Sequence, residues 1–411
     1  MMPAVTLCLT VDTHAHLRDH LFPGDGKEAA CLLVCTRVPG PRIRLLARDL
    51  LKVPHEECIQ RSAHSLTWPG SHIELAIDKA ADENLTIILV HSHPTGFANF
   101  SECDDISDLA VMPCIFEALG ELHGSSVMLP SGVMFARLYD KESAVTPVDL
   151  VSLVGDDLHF WWRDDLANAS RRPMAFTSDM SCELSRLTAC VVGISGTGSI
   201  VAEQVCRLGF GRVIGIDHDH VEEKNLNRIL NTVRNDAAAR MAKVSSFSAR
   251  VNQYRAEPYF LGIEANLQSR EAVVAAAQAD VIFCCVDTHR GRMLSDRLAA
   301  AFLLPLFDVG VGIPTRKSGE DFAIAEINGR IDYVRPGGSS LFDRGVYTPA
   351  TLQAEELAES DSRAYREQVK AGYIEGVEEQ APSVITLNMR AASACVMEFI
   401  ARAYPYRWLS R

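Results

Sequence analysis

The 411-residue chain has no apolar run of membrane-spanning length. No basic-then-apolar leader opens it, so a cytoplasmic protein that works away from membranes is expected. Basic charge is in deficit. Lys and Arg number 40 against 53 Asp and Glu, which leaves a net charge of −13 and a pI near 5.5. Phosphate-backbone binding needs clustered cations, so nucleic acid is excluded as a main partner. Internal repeats and low-complexity tracts are absent. Twelve cysteines are present, scattered and often inside apolar runs (Cys31, Cys35, Cys190, Cys284, Cys285), where Cys acts as a small hydrophobe. That is no disulfide framework and suits a reducing compartment. The interval from Val286 to Ala394 holds no cysteine at all. Apolar side chains are plentiful, at 47% of residues, enough to build two or three cores.

The most informative stretch runs from His91 to Asp104. It comes after Leu85–Val90, an aliphatic and β-branched run that predicts a buried strand. Two histidines two positions apart at a strand end project to the same side. Asp104, eleven residues after His93, returns on a following helix. Two imidazoles and a carboxylate, with a fourth position open, describe a catalytic zinc site better than a closed structural one. Ser101, three residues before Asp104, lies on the same helix face and would donate a hydrogen bond into the site.

His91-x-His93, seven residues, Ser101, two residues, Asp104 resembles the JAMM (JAB/MPN) metalloprotease family. The resemblance implies that His91, His93 and Asp104 hold Zn²⁺. It also implies that Glu28, just before the apolar run Ala29–Val34, is the general base, and that Ser101 stabilises the oxyanion. Upstream, Asp12-x-His14-x-His16 matches the opening of amidohydrolase barrels, but the chain has no series of eight β/α units after it. His14 and His16 are therefore expected near a first helix as packing or surface residues.

Strands are predicted at 29–35, 43–48, 85–90, 126–129 and 133–139, with helices near 74–82 and 102–120. The alternation suits an α+β domain over 1–145. Residues 146–172 carry Phe160-Trp161-Trp162, expected as a linker helix that packs its tryptophans onto a domain; a partner-binding surface is the alternative.

A second domain is expected over 173–411. Leu187–Val192 predicts a buried strand, Gly193-Ile194-Ser195-Gly196-Thr197-Gly198 a turn into a helix, and Val213–Asp217 a second strand ending on an acid. A glycine-rich turn at a helix N-terminus suits a nucleotide, and the acid suits ribose. Alone, the turn would serve NAD, FAD, ATP or nothing. The residues downstream of it narrow the choice. Asp217-x-Asp219-x-Val221, Asn225-Leu226-x-Arg228, and a strand ending at Asp287 with Arg292 five residues on resemble the ThiF/MoeB/HesA group of ubiquitin-activating-type adenylyltransferases, over about 170–400. The resemblance implies ATP on Gly193, Gly196 and Gly198, ribose on Asp217, and further contacts from Asp219 and Asn225. Arg228, Lys243 and either Arg171 or Arg172 would serve the phosphates and Asp287 Mg²⁺; this upstream arginine often reaches a partner subunit in this family, which implies a homodimer. Two departures stand out. Ser195 replaces the middle glycine, and Ser340 and Asp343 stand where many relatives carry half of a structural zinc site, so none is expected here.

The sequence thus reads as an α/β chain. An α+β JAMM domain, cytidine-deaminase-like, precedes a Rossmann-like adenylation domain. Both would act on the C-terminus of a ubiquitin-like or sulfur-carrier protein with a Gly-Gly-type end, with a separate conjugating enzyme or sulfur donor as acceptor. Activation for cofactor or cysteine biosynthesis, and a protease joined to a nucleotide-fold scaffold, are the other uses left open. Thioester formation is not expected on this chain. Cys206, flanked by apolar residues, should be buried, and Cys182 exposed.

Overall fold

The computed structural model describes residues 2–81, 83, 85–120, 122–255, 259–312, 315–318, 321–324, 328–370 and 384–406. Internal contacts divide the chain into two compact units, Pro3–Pro173 and Met174–Arg411, the latter including Met1–Met2.

The first unit runs β1 (Val5–Thr10), α1 (Val11–Leu21), β2 (Ala30–Val38), β3 (Ile43–Lys52), the small hairpin of β4 (Gln60–Arg61) and β5 (Leu66–Thr67), α2 (Ser71–Ala81), β6 (Thr86–Ser92), α3 (Glu102–Leu119), β7 (His123–Met128), β8 (Met134–Tyr139), β9 (Val145–Pro147), β10 (Leu150–Val154) and β11 (Leu158–Trp162). Nine of these strands form one mixed sheet in the order β11-β10-β1-β3-β2-β6-β7-β8-β9. The middle of the sheet is buried on both faces, and β2 displays why. Cys31, Leu33 and Cys35 join one apolar cluster with Leu17 and Leu21 of α1. Ala30, Leu32 and Val34 join another with Ala76 and Ala80 of α2 and Met112, Ile115 and Phe116 of α3. A near-continuous apolar strand is what burial on both faces requires.

One expectation fails here. Phe160, Trp161 and Trp162 lie on a strand, β11, antiparallel to β10, and the two tryptophans are buried. The physical reason is local. Two runs of strand-favouring residues flank Gly155-Asp156-Asp157, which closes a hairpin through Gly155 N–H to Asp157 O at 3.1 Å. Asp149 fixes the start of β10 by accepting from the N–H groups of Ala4 and Val5 at 2.7 and 3.0 Å. Residues 146–162 are thus part of the first sheet.

The second unit contains α4 (Ser178–Leu184), β12 (Thr188–Val192), α5 (Gly196–Leu208), β13 (Arg212–Ile216), α6 (Arg234–Ala238), α7 (Lys243–Val251), β14 (Phe260–Ile263), α8 (Arg270–Ala277), β15 (Val281–Cys284), α9 (His289–Phe302), β16 (Leu306–Gly312), β17 (Thr315–Ser318), β18 (Asp321–Ile324), β19 (Asn328–Val334), α10 (Pro349–Ser360), α11 (Ser362–Lys370) and α12 (Ile385–Ala403). Its main sheet has the order β14-β13-β12-β15-β16-β19, parallel except for β19. The order reverses beside β12, so a crevice opens at the carboxyl ends of β12 and β15, where open α/β sheets take ligands. Ala272, Ala276, Leu298 and Ala299 of α8 and α9 cover one face. On the other, Phe283 and Phe307 meet Phe399 of α12 edge-on, with ring centroids 5.9 Å apart in both cases. Where relatives were expected to carry zinc-binding cysteines, Ser340 Oγ donates to Asp343 Oδ2 at 2.7 Å and accepts from Asp343 N–H at 3.1 Å, closing the turn by hydrogen bonds.

Candidate functional sites

In the first unit β6 carries His91, and His93 stands one residue past its end. Burial of Thr86–Val90 on both faces fixes the strand, and the turn after it uses Gly96 at φ +79°. Ser101 caps α3: its Oγ accepts from Asp104 N–H at 3.2 Å, and Asp104 Oδ2 accepts from Ser101 N–H at 2.6 Å. This capping box fixes the aspartate at the third helical position. His91 Nε2 stands 3.0 Å from His93 Nε2 and 3.0 Å from Asp104 Oδ1, and His93 Nε2 stands 3.4 Å from Asp104 Oδ2. His93 Nδ1 lies 2.8 Å from Phe97 O and donates to it, which turns Nε2 towards the centre.

Glu28 reaches the same place through sheet register. Ala30 pairs with His91, so two further steps set Glu28 across from His93. Its backbone is held by Ser62 O at 2.8 Å and by the Arg61 guanidinium on its own carbonyl at 2.9 Å. Burial raises the Glu28 carboxyl above its ordinary value against the opposing pull of His91 and His93, which suits a base. Burial also opposes ionisation of Asp104, but hydrogen bonds from both histidines outweigh it and hold that carboxyl well below the usual range. Burial depresses His93, yet the Asp104 carboxylate, the hydrogen bond to Phe97 O and the Glu28 charge together outweigh it and its value rises. All five residues expected in this site are therefore brought together. His14 and His16 are not. His14 is buried with Nε2 2.7 Å from Gly132 O, and His16 is exposed.

In the second unit the glycine turn joins β12 to α5. Gly193 has φ +85°, and a Cβ on Gly198 would lie 1.7 Å from Gly193 O, so the third glycine permits the close return of the helix onto the turn. A Cβ on Gly196 would lie 3.4 Å from Arg228 Cδ, which places Arg228 beside the turn. Buried Asp217 accepts from Ile194 N–H at 2.7 Å and from Asp219 N–H at 2.8 Å, so one carboxylate ties the turn to the segment after β13. Burial raises the Asp217 carboxyl, and Lys243 pulls it back. Lys243, itself buried, donates to Asp219 Oδ2 at 2.7 Å. Asn225 Oδ1 accepts from Glu222 N–H at 3.0 Å and shapes the loop that presents Arg228. Asp287 is exposed three residues beyond β15. Arg292, one turn into α9, faces buried Asp308, with Nε 3.6 Å from Oδ1. Arg171 is exposed and lies in the first unit.

Sequence reasoning missed His64, whose charge acts on Glu28 from the β4–β5 hairpin, and buried Asn388, whose Nδ2 would be 2.5 Å from a Cβ at Gly196. Neither stands in a recognisable spacing.

The ThiF family model matches residues 170–395. The chain belongs to the ThiF family. The model for prokaryotic homologs of the JAB domain matches residues 10–143, so a JAB-like unit precedes the ThiF-type one in this chain. Among curated proteins, ubiquitin-like modifier-activating enzyme 5 of Drosophila pseudoobscura pseudoobscura is 26% identical over 181 residues, 42% of this chain and 42% of that protein. The Aedes aegypti enzyme of the same name is 25% identical over 181 residues, 41% of each. The chain thus spans about two fifths of the length of the curated relatives it matches. Among solved structures, E. coli MccB with MccA-N7isoASN is 16% identical at a TM-score of 0.42, covering 59% of this chain and 65% of that one.

Proposed function

We propose that this ThiF-family chain acts twice on the C-terminal tail of a ubiquitin-like or sulfur-carrier protein, hydrolysing a bond to that tail in the first unit and adenylating its carboxylate in the second. The observation that carries the reading is the convergence of His91, His93 and Asp104, with Glu28 across the sheet from His93. Their donor atoms fit zinc. One ligand atom from each residue lies within 4.8 Å of the other two, and two imidazoles with one carboxylate leave a fourth position open, as at a catalytic zinc. Bound zinc would polarise the scissile carbonyl and make water nucleophilic near neutral pH. Glu28 takes the proton from the attacking water and passes it to the leaving amine. Ser101 spends its Oγ lone pair as a cap, which leaves its hydroxyl proton to donate to the developing oxyanion.

In the second unit, ATP would lie across the glycine turn with its phosphates at the start of α5. Asp217 accepts from the ribose hydroxyls. Asn225 and Asp219 set the loops that carry Arg228 and Lys243, and those two cations offset charge on the phosphates. Asp287 would hold Mg²⁺. The carrier carboxylate attacks the α-phosphorus and pyrophosphate departs. Arg171 would serve a second copy in a homodimer. The adenylated tail passes to a separate conjugating enzyme or a sulfur donor, since Cys182 is the one exposed cysteine of the unit.

The test uses the full chain with a panel of small proteins ending in Gly-Gly, some extended at the C-terminus. Cleavage of the extension should vanish in Glu28→Gln, while ATP–pyrophosphate exchange survives; Asp287→Ala should do the reverse. Cleavage retained in Glu28→Gln would remove the hydrolase reading, and exchange retained in Asp287→Ala the role of that residue.

A further inference from the structure

Helix α3 is anchored in two different ways along its length. In its C-terminal half Met112, Ile115, Phe116 and Leu119 are buried in the apolar cluster under the sheet. In its N-terminal half, which carries Asp104, the one buried residue is Asp108. Pro113, inside the C-terminal half, lacks the N–H that would bond back to Leu109 O.

Asp108 is held by polar contacts alone. Its Oδ2 accepts from Arg137 Nη2 at 2.7 Å, from Arg137 Nε at 3.1 Å, from Tyr139 Oη at 2.9 Å and from Ser125 Oγ. Arg137 also reaches the segment on either side of Asp104. Its Nη1 donates to Asp105 Oδ1, and its guanidinium lies 3.8 Å over the ring of Phe100. Phe100, Asp105 and Asp108 stand four residues before, one after and four after Asp104. One guanidinium thus grips the chain on both sides of the candidate ligand. Phe135, Arg137 and Tyr139 share a face of β8 by period-two alternation, and Phe135 meets Phe100 edge-on at 5.1 Å. β8 pairs with β7, and β7 pairs with β6, where Val127 sits opposite His91. The guanidinium therefore ties the helix that carries Asp104 to the sheet that carries the histidines.

We propose that Arg137, through Asp105, Asp108 and Phe100, is a positioning residue that sets Asp104 against His91 and His93. The inference rests on the zinc reading of that triad. Without the guanidinium the first two turns of α3 have no buried apolar side chain to hold them. The carboxylate then samples positions outside the ligand geometry, and metal affinity falls as it does when other outer partners of ligands are removed, about 10–100-fold.

The experiment measures zinc affinity by chelator competition and the absorption spectrum of the cobalt-substituted full chain. Arg137→Met leaves Asp108 buried with the hydroxyls of Tyr139 and Ser125 but without its counter-charge, a change that also costs folding stability. Asp105→Asn is the mild variant, because Asp105 is exposed. Leu119→Ala serves as the purely structural control at the other end of the helix. Arg137→Met should lower zinc affinity by about 10–100-fold and alter the cobalt spectrum. Asp105→Asn should lower it less, in the same direction, and Arg137→Lys should restore part of the loss. Leu119→Ala should lower the unfolding midpoint and leave affinity and spectrum as they are. Wild-type affinity and spectrum in Arg137→Met, or in Asp105→Asn where Arg137→Met does not fold, would overturn the proposal while the zinc reading stands. A wild-type chain that binds no zinc, or binds it equally in His93→Ala, would overturn both.

Discussion

Gly198→Ala perturbs the nucleotide turn at the point where its geometry is tightest. The new Cβ would lie 1.7 Å from Gly193 O and 3.1 Å from Cys285 Cβ, whereas side-chain carbons come no closer than 3.0 Å to a neighbour. The start of α5 must therefore move by about 1.3 Å away from the turn, or the turn must open by as much. Overpacking of this kind costs about 1–3 kcal/mol, and the gain of alanine over glycine in a helix returns up to about 1 kcal/mol. The protein should therefore still fold. Ligand binding has no such compensation, because the free N–H groups of the first turn of α5 are the ones that would meet phosphate. A displacement of about 1 Å in a positioned site is worth about 100-fold. The assay is thermal unfolding with and without ATP and Mg²⁺. At a ligand concentration 100 times the wild-type Kd, stabilisation is about 2.7 kcal/mol for wild type and falls to about 0.4 kcal/mol after a 100-fold loss of affinity. Gly24→Ala controls for glycine strain, since Gly24 has φ +95° with nothing within 4 Å of an added Cβ. It should keep the full ligand shift. A Gly198→Ala protein stabilised by ATP as strongly as wild type would refute the argument that this close return builds the phosphate site.

Metal analysis should give one zinc per chain, lost in His93→Ala and in Asp104→Ala and kept in Glu28→Gln, because a base is not a ligand; two zincs per chain would place a second site elsewhere. His123 is fully buried, accepts from Ile87 N–H at 3.0 Å, and is pushed down by burial, then by Arg37, from 6.5 to about 4. Its folded value is depressed, so its contribution is full above pH 6.5 and is lost as pH falls to about 4, up to about 3 kcal/mol; the unfolding midpoint of the first unit measured over that window in wild type and His123→Asn checks it, and parallel profiles would count against it. After incubation with ATP, Mg²⁺ and a carrier, a non-reducing gel should contain no thiol-sensitive adduct, since Cys190, Cys206, Cys284, Cys285 and Cys395 are buried. An adduct that disappears in Cys182→Ala would overturn that expectation.

The two candidate sites were legible because each is dense in one short stretch. His91-x-His93 needs only the period of a strand, and Ser101-x-x-Asp104 only one turn of helix, so local geometry dictates where those side chains go. Glu28 was placed by family resemblance, and register against β6 accounts for its position. The Arg137 contacts could not be read in this way. Asp108 meets partners 17, 29 and 31 residues away on two strands, and no spacing rule links them. Burial in the sequence is also a poor guide to element type. Trp161 and Trp162 next to charged Arg163-Asp164-Asp165 read as an amphipathic linker, whereas pairing with Leu150–Val154, itself an unremarked apolar run, decided for a strand. The fate of Cys182 and Cys206 was set by their neighbours and agrees with the structure, exposed and buried respectively. Part of the cysteine-free interval, residues 371–383, lies outside the described residues.

The place of β1 has a consequence for the timing of folding. Val5–Thr10 lies inside the sheet, with β3 on one side and, in parallel, Leu150–Val154 on the other. A ribosome adding about 5–20 residues per second delivers the second neighbour roughly 7–30 s after the first strand has emerged. For that interval one edge of a strand rich in apolar residues has no partner, and such an edge invites pairing with other chains. Slow synthesis or a chain shortened at Val145 prolongs the exposure. The hairpin of β10 and β11 therefore acts as the closing piece of the first unit, and the yield of soluble protein should depend on how promptly it arrives.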